Sequence, residues 1–231
     1  EDDLELPPFP DRRATRDQPT RVANESSGDG DAMDGPADHE ETNTRLDAAL
    51  AYARLGLPVL PIHSVGDGRC TCSKKGCKSP GKHPRTRTGF NDATTDDAQI
   101  GEWWRKWPNA NVAIATGLSA SVCVLDIDPR NDGDQTLAEL ERKIGPLPKT
   151  VEAKTGGGGQ HFFFACPTEL TCRSNLGGPG IDLKADGGYV LVDPSATRAP
   201  YVWRGGQAPG EIEFADLPDA WLALAREGVG E

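Results

Sequence analysis

The sequence predicts an α+β fold. Short apolar runs of strand character recur at Leu57–Ile62, Asn111–Thr116, Ser121–Asp128, Val151–Lys154, Gln160–Cys166, Ile181–Lys184 and Tyr189–Val192. Segments with apolar residues at helical spacing lie among them. The two kinds interleave without a regular strand–helix–strand repeat. That pattern argues for mixed sheets flanked by helices rather than a doubly wound parallel sheet.

The chain has 231 residues and a net charge of −11. The charge is uneven: residues 1–42 hold 13 acidic side chains against four arginines, and the rest of the chain is nearly neutral. This first segment is rich in Asp, Glu, Pro, Gly and Ser. It has too little apolar surface to offset its ordering entropy, so it is predicted to be disordered, with one domain over 43–231. The acidic total argues against non-specific binding to nucleic acid but leaves room for a local basic groove. There is no run long enough to span a bilayer and no export signal, so a cytoplasmic, membrane-free protein is expected.

Thr44 and Asp47 have the spacing of a capping box, and Leu46, Ala49, Leu50 and Ala53 then recur helically up to Gly56. Leu57–Ile62 contains two prolines, which places it at a sheet edge. A second helix runs from Thr95 to Trp107, with Ile100, Trp103, Trp104 and Trp107 as its core-facing stripe. After Ser121–Asp128 comes a polar turn, 129–134, and a helix over Thr136–Ile144. Gly156–Gly159 joins Val151–Lys154 to Gln160–Cys166. Ala185–Gly188 reads as a hairpin turn between the next two strands. A final helix covers Leu217–Ala225, with Asp216 as its cap.

Residues 63–89 have no periodicity, but Cys70, Cys72, Cys77 and His83 fall within 14 positions. Three thiolates and an imidazole make a closed tetrahedral set for structural Zn²⁺, and without an export signal metal binding is preferred to disulfides. His63 is a weaker ligand candidate. Lys74, Lys75, Lys78, Lys82, Arg85 and Arg87 make the same loop the most basic stretch, available to nucleic-acid phosphates.

Asp126 and Asp128 end an apolar strand with one residue between them. Alternation puts both on one face, where they either hold a divalent cation or are simply solvated at a turn. Thr155-Gly156-Gly157-Gly158-Gly159-Gln160-His161 is not a P-loop, since no Gly-Lys-Ser/Thr follows. It reads either as an approach for a phosphate, with His161 as a hydrogen-bonding partner, or as a hairpin loop. Asp182 and Lys184 share one face of Ile181–Lys184, where a third carboxylate and a phosphate-neutralising cation would fit.

Taken in order, Val-Leu-Asp-Ile-Asp (124–128), Thr-x4-Gln-His-Phe-Phe-Phe (155–164), Ile-Asp-Leu-Lys-Ala-Asp-Gly-Gly-Tyr-Val (181–190) and Asp-Pro-Ser (193–195) resemble the bifunctional DNA primase/polymerase domain of the archaeo-eukaryotic primase superfamily. Cys-x-Cys-x4-Cys-x2-Pro-Gly-Lys-His-Pro (70–84) and Asn-x-Ala-Ile-Ala-Thr-Gly (111–117) belong to the same likeness, which extends from about Ala48 to about Ala225. The resemblance implies a primase/polymerase fold with a catalytic module like an RNA-recognition motif and an inserted zinc element. It implies two Mg²⁺ or Mn²⁺ ions on Asp126, Asp128 and Asp182, and His161 on the phosphates of a (d)NTP. It further implies a nucleotide-binding surface including Thr155, Gly156–Gly159, Gln160, Lys184 and Ser195. Lys184 stands where many members have arginine, so a bidentate phosphate contact there is less assured. The implied activity is template-dependent nucleotidyl transfer on DNA in plasmid, phage or mobile-element replication, with a helicase domain or separate helicase as partner. Residues alone leave two alternatives: a zinc-stabilised nucleic-acid-binding module without catalysis, and a two-metal nuclease.

Overall fold

The computed structural model describes residues 44–166 and 168–227. The acidic segment 1–42 lies outside the described residues. The amino-terminal part of the fold is built from α1 (Thr44–Arg54), β1 (Val59–Ile62), a short hairpin of β2 (Val65–Gly66) and β3 (Arg69–Cys70), α2 (Asp97–Lys106) and β4 (Asn111–Ala115). Next come β5 (Val122–Ile127), α3 (Gly133–Ile144), β6 (Val151–Lys154) and β7 (Gln160–Ala165). The remainder contributes β8 (Ile181–Lys184), β9 (Tyr189–Leu191), β10 (Val202–Trp203), β11 (Ala215–Asp216) and α4 (Asp219–Arg226). The fold is α+β, as the interleaved periodicities predict.

The larger sheet has the order β10-β6-β7-β5-β8, with β11 pairing parallel to β7 beyond the end of β6. All its other pairings are antiparallel. On one face, Cys123, Leu125 and Ile127 of β5, Phe164 of β7 and Ile181 and Leu183 of β8 share a core with Leu140 of α3 and Trp221 and Ala225 of α4. Burying such a face is what drives two amphipathic helices onto a sheet. With the helices on that side, the alternating residues of β5, β7 and β8 point the other way.

The smaller sheet has the order β1-β4-β9, so β1 is an edge strand, as its prolines require. Leu60, Ile62, Ala113 and Leu191 pack with Tyr201 on one side. α1 and α2 pack on each other and on β1, and α1 also packs on β4. Ile100 and Trp104 of α2 are fully buried, and the Trp104 indole donates to the Ala110 carbonyl at 3.2 Å.

Several boundaries differ from expectation. The helix α1 begins at Thr44 itself, so Thr44 is not its cap. Asp96 rather than Thr95 caps α2, accepting from Gln99 N at 2.7 Å. The polar turn after β5 is a 3₁₀ turn, Pro129–Asn131, and α3 starts directly behind it at Gly133. Asp216 lies in β11, and Pro218 precedes α4. The loop 63–89 contains the β2–β3 hairpin. The largest correction concerns Ala185–Gly188. It does not close a hairpin: β8 pairs with β5 and β9 with β4, so the turn carries the chain from one sheet to the other. Non-local bonds decide this. Thr116 Oγ1 donates to the Ala185 carbonyl at 2.8 Å, and Asp186 accepts from Leu118 N at 2.8 Å and Leu170 N at 3.1 Å.

Candidate active site

The register of the larger sheet brings three sequence-distant residues into one row. Asp126 pairs with His161 of β7 on one side and with Asp182 of β8 on the other. Neighbouring strands lie about 4.8 Å apart and residues opposite one another share a face, so the three side chains stand abreast on the face away from α3 and α4. Lys184 lies one pleat further along β8, opposite Val124. The face opens on a cleft of about 420 Å³, lined by Asp126, Asp128, His161 and Lys184 on this side and by Tyr189–Leu191 of β9 on the other.

Each polar group is held. His161 Nε2 lies 3.4 Å from Asp126 Oδ1, and His161 Nδ1 is buried without a hydrogen-bond partner. Burial pushes the Asp126 carboxyl up. The His161 hydrogen bond and charge, followed by Lys184 and Lys82, outweigh burial and hold it below the usual carboxylate range. Asp128 follows the last residue of β5 and caps the 3₁₀ turn. Its oxygens accept from Arg130 Nε at 2.8 Å, Arg130 Nη2 at 2.7 Å and Asn131 Nδ2 at 3.0 Å. Arg130 thereby lowers the Asp128 carboxyl and is itself raised. Lys184 Nζ sits 2.8 Å from Asp182 Oδ2, and Asn175 N donates to the other oxygen at 3.2 Å.

The expected three-carboxylate cage is therefore not closed in this conformation. Arg130 and Lys184 neutralise Asp128 and Asp182 individually. Among the described residues, the one set of three or more His, Cys, Asp or Glu side chains converging within metal-binding reach is Cys70, Cys72, Cys77 and His83. There the ligand atoms all lie within 4.8 Å of one another, and Cys70 Sγ and Cys77 Sγ are 3.4 and 3.5 Å from His83 Nε2. Tetrahedral Zn²⁺ with its usual bond lengths separates its ligand atoms by about 3.5–3.8 Å, so the set fits zinc. Burial raises the Cys70 thiol, but hydrogen bonds from the Cys72 and Gly81 amides and from Cys72 and His83 side chains bring it down to about 6. His63 is outside the set. Its ring packs on His83 at 4.5 Å, and Nδ1 lies 3.0 Å from Thr71 Oγ1.

Around the glycine turn the structure separates residues that the sequence grouped. Thr155 lines the cleft, and its hydroxyl accepts from Gly159 N at 3.0 Å, closing the turn. Gly156 packs under Ala199 and Thr197, and Gly157 lies beside Arg130. Gly158 has φ +90°, and Gly159 passes so close to the Ile127 carbonyl that no Cβ fits. Gln160 belongs to the opposite face, where it donates to Glu152 at 3.0 Å, and so does not reach the cleft. Ser195 is also corrected. It is wholly buried, accepting from Val112 N and donating to Val112 O, each at 2.8 Å. It staples the chain after β9 to β4.

His161, Asp126 and Asp182 thus form a row on one face of the larger sheet, and the chain also carries a glycine turn and a zinc-ready loop. A family model for "Bifunctional DNA primase/polymerase, N-terminal" matches residues 49–220. The chain belongs to that family. No curated protein matches the chain. Membership of the prim-pol family carries a primase/polymerase type of function, with DNA and nucleotides as substrates. In this prim-pol domain, no helix among the described residues is long and apolar enough to cross a membrane.

Sequence reasoning missed Arg130, Lys82, Tyr189 and Tyr201 as lining residues of the cleft. Arg130 had a faint signal, since Asp-Pro-Arg sets a cation two residues beyond an acid at a tight turn. Tyr201 had none. It is buried, its ring centroid 5.9 Å from that of His161, and burial followed by the Asp126 charge pushes its hydroxyl up to about 12.

Proposed function

We propose that the cleft carries out template-dependent nucleotidyl transfer, extending or initiating a DNA strand from (d)NTPs. The observation that supports this best is the row of His161, Asp126 and Asp182 on one sheet face, with His161 and Asp126 lining a cleft whose rim includes the glycine turn, while Asp182 stands beside that lining. The attacking 3′-hydroxyl oxygen gives up its proton to solvent and forms a bond to the α-phosphorus, the bond from that phosphorus to the oxygen bridging to the β-phosphate breaks, and pyrophosphate leaves. Asp126, Asp128 and Asp182 would hold Mg²⁺ or Mn²⁺, their oxygens being the hard donors these ions take. Such ions, when bound, lower the pKa of the hydroxyl and stabilise the entering and leaving oxygens.

The chain's own residues do the rest. His161 orients Asp126 through Nε2, 3.4 Å from Oδ1. Arg130 and Lys184 supply positive charge on either side of Asp126. Thr155, Gly158 and Gly159 donate their amides within the turn, which leaves Gly157, on the cleft lining beside Arg130, to offer its amide to polyphosphate charge. Cys70, Cys72, Cys77 and His83 would hold Zn²⁺, which would tie the loop together.

The test is incorporation of labelled nucleotide on a primed and an unprimed template with Mg²⁺ or Mn²⁺, comparing dNTPs with NTPs. Asp126→Ala combined with Asp128→Ala is expected to lower incorporation by at least about a hundredfold. Unchanged incorporation overturns the assignment. Breakdown of labelled DNA without added nucleotide, lost in the same variant, would assign the site to hydrolysis instead.

A further inference from the structure

Three cations line the cleft: Arg130, Lys184 and Lys82. Two are already committed, Arg130 to Asp128 at 2.7 Å and Lys184 to Asp182 at 2.8 Å. Lys82 is exposed and has no ion-pair partner among the described residues. Its backbone is nonetheless fixed. The Lys82 carbonyl accepts from the Tyr189 hydroxyl at 3.0 Å, and its amide donates to Ser79 O at 3.1 Å. The preceding Gly81 carbonyl accepts from buried Asn111 Nδ2 at 3.0 Å, and the Gly81 amide donates to Cys70 Sγ at 3.5 Å. The next residue, His83, is one of the four zinc-ready side chains.

The basic residues of the loop are thus not equivalent. Lys74 and Lys75 border a separate depression beside Cys70 and Cys77. Arg85 lies over the Trp107 ring, 5.5 Å from its centroid. Lys82 alone among them enters the cleft lining, facing the wall that carries Asp126 and His161.

We propose that Lys82 is a phosphate-binding residue of the cleft, delivered there by the zinc loop, and that its ligand is the triphosphate of the incoming nucleotide. This deepens the nucleotidyl-transfer reading and rests on it. A cleft of about 420 Å³ is of the size that holds a small-molecule ligand, and an unpaired lysine on its rim is a mobile point charge suited to polyphosphate. The arrangement couples two sites. The loop with the zinc-ready side chains also holds Lys82, so loss of zinc weakens nucleotide binding, and bound nucleotide raises zinc affinity by the same factor.

The test uses the full, zinc-loaded chain and three variants, Lys82→Met, Lys82→Arg and, as a control on an exposed helix face, Lys143→Met. Zinc content, equilibrium affinity for a fluorescent nucleoside triphosphate, affinity for the matching nucleoside and affinity for primed DNA are read for each. Removing one charge-assisted contact is expected to weaken triphosphate binding about tenfold or more in Lys82→Met. Nucleoside affinity, DNA affinity and zinc content should stay unchanged, Lys82→Arg should recover most of the loss, and Lys143→Met should behave as wild type. Lys82→Gln repeats the measurement should Lys82→Met lose zinc. Unaltered triphosphate affinity in a zinc-replete Lys82 variant overturns the proposal. A loss confined to DNA affinity also overturns it, by placing Lys82 on the template backbone. A wild-type chain that binds no triphosphate overturns the nucleotidyl-transfer reading instead.

Discussion

Asp126 stands between His161 on one flank and Asp182 on the other. Its carboxyl lies below the ordinary range in the folded chain. It therefore stabilises the fold above the unfolded value of about 3.9, and this contribution disappears as pH falls through the folded value. Asp126→Asn should be less stable than wild type at pH 7, with the gap closing toward pH 3. Thermal melts at both pH values check this, and a gap that widens on acidification contradicts it. Ser195 behaves differently. Ser195→Ala leaves the buried Val112 amide without its acceptor, so a loss of about 1–3 kcal/mol is expected with nucleotide affinity unchanged. Asp126, Asp128, His161 and Asp182 were singled out in the sequence by the order of three short patterns, each ambiguous by itself, and the sheet register sets Asp126, His161 and Asp182 in one row. Lys82 and Tyr201 were not, because their place at or beside the cleft depends on how a loop and a late strand fold over a distant sheet. Gln160 and Ser195 stood in equally suggestive patterns, yet strand alternation turned one away and packing buried the other.

Among the elements, the segment from Val65 to Arg85 has its own dependence. It has few buried apolar side chains, and its regular structure is a hairpin of two residues per strand. Chelation, or Cys70→Ser, should release one zinc per chain and lower the melting temperature, read by metal analysis and a melt on one sample. The β5–β7 pair depends on close backbone approach. Gly159→Ala pushes a methyl into the Ile127 carbonyl and should cost about 1–3 kcal/mol. Strand and helix identity was legible from periodicity, and the zinc loop from ligand spacing. The fate of Ala185–Gly188 was not. A glycine pair marks a turn, but nothing local states whether the following strand returns beside its predecessor or joins another sheet.

At the scale of the whole molecule, two sheets, each backed by a pair of helices, face one another across the cleft. A ligand bridging them binds only the folded state. Nucleoside triphosphate with Mg²⁺ at a hundred times its dissociation constant should raise stability by about 2.7 kcal/mol. The combined Asp126→Ala and Asp128→Ala variant should show much less of this in a thermal-shift measurement.

Three connections cross between the sheets, 116–121, 185–188 and 192–201, and the first two run side by side and are bonded to each other. Thr116 N donates to the Gly188 carbonyl at 3.0 Å, and Leu118 N to Asp186 at 2.8 Å. Gly117 is pressed so tightly on Asp186 that it admits no side chain. The third connection bonds to the other end of β4, Asn111 Nδ2 donating to the Ala196 carbonyl at 2.9 Å, so the two sheets are tied to each other at both ends of that strand. Gly117→Ala, which forces a methyl onto Asp186, should shift kcat and KM together while zinc stays in place.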